Sequence, residues 1–216
     1  YLLNLFIPKY IDEYWIKIFT NELLKIQKRY NFYLLGGDLS SSKQLSMTST
    51  FIGVSKYNKI ISQDIVKIND DIWITGNIGD SYVGLQILNN SIKVSKKYNK
   101  FFFNKYFYPK PFMLGIKFSN FVNSMKDISD GFIGDLKKML NYKYGAEIHL
   151  NQIPLSSHTK NLLKNKIINY QDILNSGDNY QLIMIADVKF RKRILDTAKK
   201  NKVKISKVGK VINNKQ

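Results

Sequence analysis

The 216-residue chain has no cysteine. That excludes a disulfide scaffold and any thiolate metal site, and it fits a reducing compartment. Only two histidines occur, His149 and His158, and their separation is not that of a zinc pair. No run of about 18 or more uncharged apolar residues is present, and the start of the chain lacks a basic-then-apolar signal pattern. The expectation is a soluble cytoplasmic protein with no membrane partner. A G-x-x-x-x-G-K-[ST] loop is also missing, so any nucleotide is held without a Walker cradle. Acidic residues are scarce: 16 Asp and Glu stand against 34 Lys and Arg, for a net charge of +18.

A charge of that size can mark a nucleic-acid face. Here the lysines stand singly, at Lys9, Lys17, Lys25, Lys43, Lys56 and Lys59, among abundant Ile, Asn, Tyr and Phe. That is the usage of AT-rich coding DNA, so nucleic acid is not the expected partner. The excess positive charge still favours recruitment of an anionic substrate.

What is present is a globular composition, 44% hydrophobic with 13% aromatic, enough for a real core. Ile11, Trp15, Ile18, Phe19, Leu23 and Ile26 recur at helical spacing and predict the first helix. Strands are predicted at 32–35 and 46–54, separated by a Gly- and Ser-rich turn. After a polar stretch at 58–71 a second unit begins. It has strands at 72–75, 146–150, 180–186 and 203–211, and helices from 81, after Gly131, at 157–166 and at 190–199. Strands alternate with helices, which gives an α/β (α+β) class with mixed sheets and helices packed on one face.

The scarce acids are not scattered. "MKDISDGFIGDL" (125–136) places Asp127 and Asp130 around Ser129, just before a helix whose apolar face is Phe132, Leu136 and Leu140. Carboxylates and a hydroxyl at a strand-to-helix junction suit Mg²⁺, which keeps its waters and bridges to substrate phosphates. The helix start offers N–H groups to a phosphate oxygen. Alternatively, Asp130 or Ser129 is a simple cap. Three further Gly/Asp turns add to it: "GGDLSSS" with Gly37 and Asp38, "TGNIGDS" with Asp80, and "NSGDNYQL" with Asp178.

The order "LLGGD", "DIWITGNIGDSYVGL", "YPKPFMLG", "MKDISDGFIGDL", "AEIHLNQIPLS", "SGDNYQLIMIA", "KVGKV" resembles thiamine-monophosphate kinase, of the aminoimidazole ribonucleotide synthetase-like superfamily, along nearly the whole chain. The resemblance implies a two-domain architecture. Residues 1–56 would be the remnant of an N-terminal ATP/metal-binding and dimerisation domain whose usual first segment is lacking, and residues 57–216 the C-terminal α/β domain. It implies ATP-dependent phosphorylation of thiamine monophosphate to thiamine diphosphate by direct Mg²⁺-assisted transfer, and a homodimer. It also implies ATP contacts at Gly37, Asp38 and Ser129, metal ligands at Asp38, Asp127 and Asp130, and a substrate contact at Asp178.

Departures from the family pattern are Leu39 for a threonine, Gln63 for an ATP-contacting arginine, and "SGDNYQL" for "GGEDYEL". They leave open the alternatives of a catalytically inactive nucleotide-binding or dimerising remnant and of another ATP-using member of the superfamily. Trp15 and Trp73 are expected in the core. Asp135 is expected to be an exposed helix residue, and Asp80 the cap of the helix from 81, the alternative for Asp80 being that it faces the nucleotide.

Overall fold

The structure, a computed structural model, describes residues 1–54, 61, 65–110 and 114–214; Gln63, the expected boundary at 56/57 and residues 111–113 of the "YPKPFMLG" stretch lie outside these. Its contacts divide the chain into two units, Tyr1–Ile60 and Ile61–Gln216.

The first unit is a three-stranded sheet and one long helix. The sheet order is β2-β1-β3, from β1 (Leu2–Ile7), β2 (Gly36–Ser41) and β3 (Ser46–Thr50), and α1 (Glu13–Tyr30) follows β1. β1 pairs in parallel with β2 and antiparallel with β3, so this sheet is mixed. Two of its expected features are corrected. The strand lies on "GGDLSS", where a turn is predicted, and not on 32–35. Pairing to β1 overrides local composition, and Gly37 permits it: at φ +151° a Cβ there would fall 1.8 Å from the Leu3 carbonyl oxygen. Trp15 is also not a core residue. It is half-buried on α1, which has no buried residue, and it stacks on Phe19 at 5.2 Å. Asp12 accepts the Trp15 amide at 2.8 Å and so starts α1, and Asn31 in the left-handed region ends it.

The second unit is a five-stranded sheet, order β5-β7-β4-β8-β6, with every neighbour antiparallel. Its strands are β4 (Asp71–Thr75), β5 (Ser124–Asp127), β6 (Tyr144–Ile148), β7 (Leu182–Ala186) and β8 (Ile205–Asn213). The central strand β4 is buried at every residue, as a strand covered on both faces must be. Side chains alternate across it. Ile72 and Ile74 face the larger core with Ile183 and Ile185, under α2 (Asp80–Leu88), α3 (Lys96–Phe107), α5 (Phe132–Met139), α6 (Ser157–Lys164) and α7 (Tyr170–Asn175). Trp73, Met184 and Ala186 face a smaller core closed by α4 (Gly115–Phe118) and α8 (Arg191–Lys200). The main helical layer lies on one face as expected, and a thinner layer covers the other. Fully buried Phe102, Phe118 and Phe132 each contribute about 1.5–3 kcal/mol of transfer free energy. Among the described residues no helix is long and apolar enough to cross a membrane.

Candidate active site

Three turns meet at one end of the second unit's sheet. The first runs from Thr75 at the end of β4 to the start of α2. Gly76 and Gly79 both have positive φ, +60° and +87°, and Asp80 opens the helix. The second runs from α7 into β7 and holds Asp178 and Tyr180 in the left-handed region, φ +57° and +50°. Non-glycine residues rarely adopt that conformation, and such strain persists where the surroundings enforce it. The third carries "DISDG" from β5 into α5.

Side chains tie the first two turns together. Asn179 Oδ1 accepts the Gly79 amide at 2.8 Å and the Ser81 hydroxyl at 3.2 Å, while Asn179 Nδ2 donates to the Ser176 and Gly177 carbonyls. Thr75 Oγ1 donates to Gln181 Oε1 at 3.0 Å and accepts the Leu182 amide at 2.9 Å. Backbone pairing ties the second turn to the third. The Asp178 amide donates to the Ser129 carbonyl and the Tyr180 amide to the Ile128 carbonyl. Gly177 is required there, since a Cβ would stand 2.1 Å from the Ser129 carbonyl oxygen.

A cavity of about 500 Å³ opens beside these turns. Asn77, Asp80, Asp178, Asn179 and Gln181 line it from the sheet side. Phe101, Asn104 and Lys105 of α3, with Tyr108 and Lys110 behind, line it from the other. His158 of α6 stacks on Phe101 at 4.3 Å, and Lys105 Nζ lies 5.7 Å from the same ring's centroid. Asp80 is buried; its Oδ1 accepts the Ser156 and Thr159 hydroxyls, each at 2.6 Å. The expected capping role is therefore corrected: the helix starts on Gly79 without a side-chain cap, and Asp80 faces α6 and the cavity. Lys204 donates to Asn77 Oδ1. Burial, then Lys160, holds its ammonium below the usual lysine range, and Asp80 acts against both.

Asp178 accepts the Tyr180 hydroxyl at 3.1 Å. Burial first, then this bond and the charge of Asp178, push the Tyr180 phenol up, and Asp127 adds to the push. The structure thus brings Ser129, Asp178 and the field of Asp127 to one place, whereas Gly37 and Asp38 belong to the first unit. There Asp38 is exposed opposite Asn4 and accepts the Ser40 hydroxyl at 2.6 Å.

The third turn is organised by a residue misplaced in the sequence reading. Asp135 is fully buried, not exposed. Its Oδ2 accepts the amides of Ser129, Asp130 and Gly131 at 3.0–3.2 Å, and its Oδ1 pairs with Lys126. The available signal was its spacing: Asp135 lies three residues after Phe132 and four before Met139, inside the apolar stripe. Asp130 is exposed and bound to Lys138 at 2.5 Å; that hydrogen bond and charge hold its carboxyl below the usual range. Asp127 is exposed with no side-chain hydrogen bond or ion pair among the described residues.

Among the described residues no three of His, Asp or Glu gather into a metal-holding group. Mg²⁺ does not need one, because it is commonly held by one or two carboxylates and by substrate phosphates. Asp127 in the second unit is an exposed carboxylate of the kind such an ion takes, and so, in the first unit, is Asp38; Asp130 would first have to release Lys138.

Comparisons with known proteins agree with this fold. Residues 68–216 match the family described as AIR synthase related protein, C-terminal domain. The thiamine-monophosphate kinase of Buchnera aphidicola subsp. Schizaphis graminum is 35% identical over 211 residues, covering 96% of this chain and 64% of that protein, so the chain spans just under two thirds of that relative's length. Thiamine-monophosphate kinase from Stenotrophomonas maltophilia K279a superposes with a TM-score of 0.82 at 20% identity, over 99% of this chain and 69% of that one. A structure of AaThiL complexed with AMPPCP and TMP superposes at 0.76, also at 20% identity, over 99% and 67%. The chain belongs to the AIR synthase related family, and within it is similar to thiamine-monophosphate kinases.

Proposed function

We propose that the protein transfers the γ-phosphoryl group of ATP to thiamine monophosphate, giving thiamine diphosphate and ADP. The observation that carries this reading is the coincidence of two independent facts. The sequence matches a thiamine-monophosphate kinase along 96% of its length, and two of the motifs quoted for the resemblance, "TGNIGDS" and "SGDNYQL", line one polar, aromatic-walled cavity. A neighbour of the same fold is complexed with AMPPCP and TMP. Phosphoryl transfer of this kind is a reaction of positioning and charge neutralisation.

In this reading Gly37, Asp38 and Ser129 contact ATP, and Asp178 contacts the acceptor. Asp38, Asp127 and Asp130 would hold Mg²⁺, which when bound would neutralise the charge developing on the phosphates. Residues 1–56 serve as the remnant of an ATP/metal-binding and dimerisation domain and residues 57–216 as the C-terminal α/β domain. The protein is a cytoplasmic homodimer in this reading.

Incubating the full-length gene product with ATP, Mg²⁺ and thiamine monophosphate, then separating thiamine phosphates by ion-pair chromatography, tests it. Stoichiometric thiamine diphosphate and ADP are expected. Tight binding of both ligands with no product would favour the inactive-remnant alternative, and turnover of a different acceptor would favour another superfamily activity. Light scattering at micromolar concentration should give a dimer mass.

A further inference from the structure

The cavity divides its charge by element. Both of its carboxylates, Asp80 and Asp178, come from the turns at the sheet end, and both of its ammonium groups, Lys105 and Lys110, come from α3 and the segment behind it. Phe101 and Tyr108 stand on the ammonium side as apolar walls.

Asp80 is the unusual member. It is only 4% exposed, and its hydrogen-bond donors are two neutral hydroxyls, both on Oδ1. Oδ2 has no partner among the described residues, and the residue lines the cavity. The nearby Lys204 interacts with Asp80 only through its charge: it forms no ion pair with it, hydrogen-bonds Asn77 instead and does not line the cavity. A carboxylate that lines a cavity and has no ion pair of its own among the described residues favours a positive group on the ligand. Asp178 is positioned in the same sense, its carboxylate fixed by the Tyr180 hydroxyl on a strained turn.

We infer that the cavity selects a ligand carrying both a fixed positive ring and a phosphate, with Asp80 and Asp178 reading the cation and Lys105 and Lys110 reading the phosphate. The inference rests on the proposed function and deepens it. It assigns Asp178 to the ring of thiamine monophosphate, and it adds Asp80, Lys105 and Lys110 as specificity-determining residues. A phosphate on a neutral ring would engage only the lysines, and the ring alone would leave the lysines unused.

The experiment is calorimetric titration of the full-length protein with three probes: thiamine monophosphate, thiamine, and the phosphate ester of hydroxyethyl-methylthiazole, whose ring is neutral. Asp80→Asn keeps an acceptor for both hydroxyls and removes the charge; Asp178→Asn does the same for Tyr180. Each should weaken thiamine monophosphate and thiamine by about tenfold or more and change the neutral phosphate by less than about twofold. Lys105→Ala with Lys110→Ala should weaken both phosphates and spare thiamine. If Asp80→Asn does not fold, Asp178→Asn decides alone. Equal losses for all three probes, no loss for any, or no binding of thiamine monophosphate by the unaltered protein would overturn the inference. Should the unaltered protein still make thiamine diphosphate while the variants fail to discriminate, the kinase reading stands and the charge division falls.

Discussion

Asn179 Oδ1 accepts the Gly79 amide at 2.8 Å, joining two turns that are 100 positions apart in sequence. Gly79 is the N-cap of α2 and has no side chain to cap with; Asn179 accepts its backbone N–H from a distance, as an N3 side chain does in a capping box. The same amide group also donates to two carbonyls of its own turn. A neutral amide can accept and donate at once; the aspartate that the family pattern has here could only accept.

Replacing Asn179 with alanine should therefore leave the buried Gly79 N–H without an acceptor. We expect a loss of about 1–3 kcal/mol in urea unfolding, together with a weaker KM for thiamine monophosphate, because Asp178 is the adjacent residue. A variant as stable as the parent would show that the bond does not hold the turns together.

Asp135→Ala removes the acceptor for three consecutive amides and the partner of Lys126. Stripping one side from a buried, hydrogen-bonded pair costs about 3–5 kcal/mol. The unfolding midpoint in urea should drop accordingly, and turnover should vanish with the order of the 127–131 loop. A loss below about 1 kcal/mol would mean that the loop keeps its shape without its central carboxylate.

Asp70 gives a pH test with a defined sign. It is 4% exposed, and burial raises its carboxyl above the ordinary value of 3.8, against the lowering effect of bonds from the Lys67 amide and Asn123 Nδ2. A carboxyl with a raised folded pKa binds its proton more tightly folded than unfolded. Its contribution to stability is therefore full below the unfolded value and declines as pH rises through the folded one. Both donors converge on Oδ2, so Asp70→Asn can keep both bonds without a charge. Urea unfolding from about pH 4 to about pH 7 should show the variant gaining on the parent as pH rises. A constant difference across that range would contradict the assignment.

The parts of the fold that sequence disclosed are those where local pattern and tertiary fate agree. The apolar run at β4, the helix after Gly131 and the strand at β7 are all near their expected positions because burial there follows the local period. β1 and β2 were missed for the opposite reason. "GGDLSS" has turn composition and becomes a strand only because β1 lies beside it in parallel, a pairing across more than thirty residues that no window reveals. In the site, the Gly/Asp turns were visible as motifs. The split between structural and available acids was not: Asp135 and Asp80 are buried and hydrogen-bonded, Asp130 is neutralised by Lys138, and Asp127 is open. Lys105 and Phe101 carried no motif and join the site only through the packing of α3, whereas Lys110 lies in the "YPKPFMLG" stretch that follows it.

That split separates function from folding at Asp127. Its side chain is exposed and makes no hydrogen bond or ion pair among the described residues, so Asp127→Asn should change unfolding free energy by no more than about 0.5 kcal/mol. If the carboxylate holds Mg²⁺ with the nucleotide, the same change should lower kcat by about tenfold or more and raise the Mg²⁺ concentration needed for half-maximal turnover. Lys138→Met supplies the converse. It removes only a surface pair, worth about 0–1 kcal/mol, yet it releases Asp130 and should reduce the Mg²⁺ requirement. Steady-state rates across a Mg²⁺ series for the two variants distinguish the cases. Equal Mg²⁺ dependence in both would show that neither aspartate faces the ion, and the metal-ligand role proposed for this turn would have to be given up.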